Sequence, residues 1–216
     1  MSFANTEIIE QEYLGRSMSF AEYNGLVDSL VEADRTTGPN QLQALVDFTR
    51  LNQARVRRLL KTLSVDENAA AMLRSIGGRQ IWLVITEGWC GDAAQNVPAI
   101  ETIAAVSGDI ETRYILRDEN PELMDRFLTH GTRSIPKVMV LDRETRVVLG
   151  TWGPRPTEAQ ELFDRRKAEG VDKPVILEEL QRWYNADKGI SVQREMAEIA
   201  CKCADAAEQQ TAAFAR

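Results

Sequence analysis

Residues 81–93 read Ile81-Trp82-Leu83-Val84-Ile85-Thr86-Glu87-Gly88-Trp89-Cys90-Gly91-Asp92-Ala93. Residues 81–85 are an unbroken apolar run with β-branched Ile81, Val84 and Ile85, which fits a central strand buried on both faces. Residues 93–106 follow as a helix, with Pro98 inside it as a kink. Cys90 therefore sits just past a buried strand and at the start of a helix. Free N–H groups and the helix dipole favour a thiolate there. The carboxyl ends of parallel strands are also where open α/β sheets place their sites.

The pattern around this stretch supports an α/β fold. Residues 110–116 alternate as Ile110, Thr112, Tyr114, Leu116, a strand. Asn120 and Pro121 open a helix that is predicted to run to about Thr129 and to end at Gly131. Residues 138–141 and 146–149 read as two strands of a hairpin joined by the polar turn 142–145, and 157–169 as a helix. The order β-α-β-α-β-β-α predicts a mixed sheet with helices on both faces. Upstream, Ser19 and Glu22 form a capping box before the stripe Tyr23, Leu26, Val27, Leu30, Val31. Asn40 caps a second helix, whose Arg55, Arg57, Arg58 and Lys61 read as a solvated face. Ser64 and Glu67 cap a third, which stops at Gly77 and Gly78. Downstream, Pro174 starts one helix and 190–213 form another. The organisation expected is an N-terminal helical extension (1–76), a central domain (77–170), and C-terminal helices packed on that domain (171–216).

Composition narrows the function. The 216 residues carry 26 Lys plus Arg against 33 Asp plus Glu, a net charge of −7. An acidic chain without a basic run argues against non-specific nucleic-acid binding. No apolar run reaches the ~18 residues of a membrane span, and residues 1–15 lack the pattern of a secretory signal. Three cysteines, Cys90, Cys201 and Cys203, do not make a disulfide framework and point to a reducing, cytoplasmic setting. The single histidine, His130, reads as a helix C-cap before Gly131. No metal site is expected, for lack of ligands at metal-site spacing, and no cofactor is called for.

The stretch resembles the active-site segment of the thioredoxin superfamily, a Trp-Cys-Gly-x-Cys turn between the central strand and a proline-kinked helix. Trp89, Cys90, Gly91 and Pro98 match that pattern. The run Gly131-Thr132-Arg133-Ser134-Ile135-Pro136 is similar to the loop before the family's cis-proline strand, and Gly153 falls where the family has a glycine after its last strand. The resemblance implies a thioredoxin-like fold over residues 77–170, with Cys90 as the reactive thiol. It implies that Pro136 is cis and that Ile135 offers backbone groups to an extended substrate, a strand addition. Trp89, Gly91, Asp92, Ser134, Ile135 and Pro136 are then the substrate-binding candidates.

The sequence departs from the family at two linked positions. Ala93 stands where the second cysteine belongs, and Val84 where dithiol members bury an acid that handles that cysteine's proton. Cys203 falls on an apolar stripe with Val192, Met196, Ile199 and Ala206, a core position. Cys201 falls on the polar side near Glu198, Asp205 and Glu208, with Arg194 two turns back, and is the candidate resolving thiol. Asp92, beside Cys90, stabilises the helix start but works against a thiolate. The favoured expectation is a monothiol thiol–disulfide oxidoreductase in which Cys90 acts on protein or small-molecule mixed disulfides and titrates below the free value of ~8.5. The alternative is a non-catalytic thioredoxin-fold module that binds a peptide or protein. A thiol held by the fold and used for nothing stays open beside them. The sequence sets no oligomeric state.

Overall fold

A computed structural model of the chain describes residues 7–77 and 79–214. β1 (Gln80–Thr86) is buried along its whole length. Successive side chains of a strand point to opposite faces, so both faces of the sheet are covered at its centre. β1 pairs in parallel with β2 (Ile110–Leu116) and antiparallel with β3 (Lys137–Asp142). β3 pairs antiparallel with β4 (Val148–Trp152), with an irregularity at Val140 and Leu141. The order β2-β1-β3-β4 makes a mixed sheet. Because β1 and β2 are parallel, their carboxyl ends, Thr86 and Leu116, finish side by side, and the turn carrying Cys90 leaves from that end.

The helices follow in the order α1 (Gln11–Arg16), α2 (Phe20–Glu32), α3 (Gln43–Thr62), α4 (Glu67–Arg74), α5 (Gly91–Ala104), α6 (Pro121–Asp125), α7 (Thr157–Ala168), α8 (Lys173–Asp187) and α9 (Ile190–Phe214). The result is a mixed α/β fold of thioredoxin-like topology with helical extensions at both ends. α3 lies along α5, and α9 packs on α4, α5 and β4. α7 and α8 form a hairpin with a small apolar cluster of its own, Ala159, Ile176, Leu180 and Tyr184. Among the described residues, no helix is long and apolar enough to cross a membrane.

Local chemistry moves several element ends from where the pattern puts them. The capping box of Ser19 and Glu22 is present at α2. At α4 the cap is Asp66, whose carboxylate accepts from the Ala69 amide, rather than Ser64. Asn40 accepts from the Leu42 amide just ahead of α3, so it closes a turn and Leu42 takes the N-cap place. α6 ends at Asp125, short of Thr129, because Thr129 and Thr132 exchange backbone hydrogen bonds in a tight turn. His130 sits inside that turn with φ +49° and caps no helix. β4 extends to Trp152. α1 falls within the expected N-terminal helical extension and stands apart from α2 because Met18 pairs with Tyr114 on the β2 edge. Gly78, read as half of a helix stop, and the side chains of Asp205, Ala206 and Glu208, read as parts of the two faces of α9, lie outside the described residues.

Candidate functional site

Cys90 is the N-cap residue of α5. Its Sγ accepts from the Ala93 amide at 3.5 Å, and its thiol donates to the Ile135 carbonyl at 3.2 Å. Only 8% of the residue is exposed. The helix start does favour a thiolate, through the amides of Ala93 and Asp92 and the charge of Arg155. Burial outweighs them, the Asp92 carboxylate adds to it, and the thiol is pushed up to about 12. The expectation of a thiol more acidic than an ordinary one is corrected: desolvation at this depth overrides the helix terminus.

Asp92 lies at the centre of a buried polar network. Arg155 donates to one carboxylate oxygen at 2.6 Å and the Tyr184 hydroxyl to the other at 2.9 Å. Asn96 donates to the Asp92 and Pro154 carbonyls and to the Tyr184 oxygen. The Arg155 guanidinium lies 4.2 Å from the centre of the Phe163 ring. Elements far apart in sequence are thereby fixed to the Cys90 turn: the loop after β4 through Arg155, and α8 through Tyr184. Above the turn opens a cleft of about 410 Å³ between α3 and the α7–α8 hairpin, with Trp89, Cys90, Gly91 and Asp92 in its floor. Leu45, Phe48 and Leu51 of α3 face Leu177 and Leu180 of α8 across it.

The profile of the thioredoxin family matches residues 38–169, more than half of the chain. The chain belongs to the thioredoxin family. Two solved structures share its fold. One is a protein of unknown function from Pseudomonas aeruginosa, 19% identical, with a TM-score of 0.55 over 88% of this chain and 99% of that one. The other is an HIV epitope-scaffold, 21% identical, with a TM-score of 0.52 over 84% and 97%. At these identities the likeness concerns the fold alone, and at 88% coverage it takes in helices outside residues 38–169. None of the curated proteins matches.

In this thioredoxin-family protein the site residues read from the sequence fall into two groups. Trp89, Gly91 and Asp92 line the cleft with Cys90, and the Arg117 guanidinium covers the Trp89 ring at 4.7 Å. Ser134, Ile135 and Pro136 lie outside its lining. The Ile135–Pro136 peptide is cis, as is Gly153–Pro154. The Ile135 carbonyl, one of the groups a substrate strand would pair with, accepts from the Cys90 thiol. Cys201 is not in this region. Its neighbour Ala200 accepts from the Gln80 side chain at 2.9 Å, at the opposite end of β1. From Gln80 to Thr86 is roughly 20 Å at about 3.3 Å per residue, far beyond the ~7 Å Cα separation a disulfide tolerates. A resolving role for Cys201 is thus out of reach in this fold. The Cys201 thiol lies 3.7 Å from the Met72 carbonyl, and Arg194, expected on the same side, is held by Asp66. Cys203 is buried in the core against Gly150. Among the described residues, no cluster of His, Cys, Asp or Glu is arranged to hold a metal.

Four functional-looking residues are not singled out by the sequence. Arg155 and Tyr184 lie 63 and 92 residues from Asp92, and no local pattern links them. Arg55 reads as part of a solvated face but lines the cleft. Glu87 did carry a signal, an acid ending an apolar strand run. It is fully buried, accepts from the Thr37 hydroxyl and, at 2.8 Å, from the Asp118 amide. Burial raises its carboxyl to about 7 despite those bonds, with the Asp118 charge adding and Arg117 opposing. Folding therefore favours the protonated acid. That contribution is complete below the carboxyl's ordinary value of 4.5 and is lost as pH rises to about 7. Across that window it amounts to about 3 kcal/mol. Glu87→Gln, whose amide oxygen can still accept from the Asp118 amide while its NH2 donates to the Thr37 hydroxyl oxygen, is expected to remove this fall. Urea unfolding of both proteins at pH 5 and pH 8 checks it; an unchanged pH slope in the variant would place the effect on other groups.

Proposed function

We propose that the protein is a ligand-binding member of the thioredoxin family, in which the cleft over Cys90 is the working feature and not a resting thiolate. The observation that carries this reading is the state of Cys90. A buried thiol that donates to a carbonyl and titrates near 12 is a neutral side chain at pH 7, here placed in the floor of a cleft of ligand size. Two facts support it. Ala93 stands in the second thiol's place, and Cys201 is held at the other end of the sheet. Because the Ile135 carbonyl is engaged, the reading moves the binding surface from residues 134–136 to the space between α3 and α8.

Monothiol exchange is the second reading, favoured by one observation: Sγ accepts from the Ala93 amide at the head of α5 and borders the cleft. In that reaction the Cys90 thiol gives up its proton and attacks one sulfur of a protein or low-molecular-weight disulfide. A Cys90 mixed disulfide forms, and the departing thiolate takes up a proton. An external thiol then attacks the mixed disulfide and restores Cys90, so that one disulfide and one thiol are exchanged for another pair. A turnover assay with bis(2-hydroxyethyl) disulfide and glutathione at pH 7 separates the readings. Wild type and Cys90→Ser are expected to give the same background rate. Catalysed consumption that disappears in Cys90→Ser would overturn the binding reading in favour of exchange.

A further inference from the structure

We infer that the cleft takes an amphipathic carboxylate, a small molecule whose apolar body lies between α3 and α8 and whose acid group pairs with Arg55. This rests on the binding reading above and names the chemical class of its ligand. Arg55 presents five N–H donors on a permanent positive charge. Two of them have acceptors, Asn52 Oδ1 at 2.5 Å and Gln181 Oε1 at 2.9 Å. Both are neutral amide oxygens. Among the described residues, no carboxylate lies within ion-pair distance of Arg55, whereas Arg50 and Arg57 on the same helix are paired with Asp34 and Asp28. Burial disfavours the Arg55 charge and Arg58 adds to it, while the Asp92 carboxylate opposes them from beyond ion-pair distance, so a half-buried guanidinium has neutral hydrogen-bond partners only, an arrangement that an anion relieves.

The rest of the cleft agrees. Asp92 is the only acid in its lining among the described residues, and both of its oxygens are taken by Arg155 and Tyr184. Lys173, at the rim on α8, also has no ion pair among the described residues. Two cations without an ion pair among the described residues thus border one cleft in a chain whose net charge is −7. The walls supply the apolar half of the match. Phe48, Leu51 and Leu177 leave 49%, 53% and 42% of their surface in water, on facing helices, where a ligand's hydrocarbon would cover them. A volume of about 410 Å³ is within the range of small-molecule pockets, roughly 300–1,000 Å³.

Arg55 could instead act only as a strut from α3 to Gln181 of α8, and the test separates the two roles. Dansylglycine and dansylamide share one fluorescent body and differ in the carboxylate. Titrated into the full chain at low ionic strength, dansylglycine is expected to bind at least about tenfold tighter. Arg55→Gln should abolish that preference and leave dansylamide binding unchanged. Arg55→Lys should keep part of the preference, and the exposed-wall variant Leu51→Asp should weaken both probes. Equal affinity of the two probes for wild type, a preference that survives Arg55→Gln, or no binding of either probe would each overturn the inference. If Arg55→Gln does not fold, the wild-type comparison and Arg55→Lys still decide it. Failure of the underlying binding reading is distinct, since its sign is Cys90-dependent turnover of a disulfide.

Discussion

Iodoacetamide is expected to label Cys90 of the folded protein about a hundredfold more slowly at pH 7 than an ordinary exposed thiol. The thiolate is the reacting species. With the thiol raised to about 12 against an ordinary ~8.5, its thiolate fraction at pH 7 is lower by roughly three orders of magnitude. A more basic thiolate is a better nucleophile, with a Brønsted slope of about 0.4–0.5, which recovers part of that loss but not most of it. Burial restricts access further. Peptide mapping of the three cysteines after timed labelling gives each rate separately. The Cys90 rate should rise about tenfold per pH unit from pH 7 to beyond pH 10 without a plateau, and should become ordinary in urea. A plateau at or below pH 8.5 would show that the helix terminus and Arg155 outweigh burial and Asp92, and would restore the reactive cysteine.

Gly153→Ala should prevent stable folding or destabilise the protein by at least about 4 kcal/mol. Gly153 has φ +110°, a conformation that side chains rarely adopt. A Cβ placed there would lie 2.2 Å from the Pro136 carbonyl oxygen, and that neighbour is backbone, which cannot rotate away. The contact joins the loop that presents Ile135 to Cys90 with the loop that presents Arg155 to Asp92, so relief of the clash would move both sides of the turn. Gly25→Ala provides the contrast. Gly25 lies inside α2 with open space around it, and the substitution there should be stabilising by about 0.5–1 kcal/mol. Urea midpoints of the two variants measured side by side test the pair. Comparable stability of Gly153→Ala and wild type would mean that the two loops are not locked together.

The strand and turn at residues 81–93 were legible because their signals are local: an apolar run, a helix start and a proline at a fixed distance. The same holds for the capping box at Ser19 and for the strand alternation of residues 110–116. What the sequence did not reveal depends on distance or depth. Asp92 reads as a helix-start acid, yet its behaviour is set by Arg155 and Tyr184, brought to it by folding. Cys90 reads as an activated thiol, since the amides that favour its charge come from the next residues of the chain, whereas the burial that opposes the charge comes from the whole fold. Arg55 reads as surface because its neighbours along α3, Arg57 and Arg58, are exposed. Only the approach of α8, with Gln181 and Leu177, makes a wall of that face.

The position of α8 bears on how the cleft is divided along the chain. The turn bearing Cys90 and the helix α3 opposite fall within the residues matched by the family's profile, and α8 lies past their end. The floor, α3 and Phe163 of α7 thus fall within the matched residues, and α8 completes the opposite bank from beyond them. Chains that keep the same turn but carry a different C-terminal attachment would enclose a different space above an unchanged cysteine. In such chains the choice of ligand would follow the helix that closes the cleft, and the turn beneath it would stay as it is.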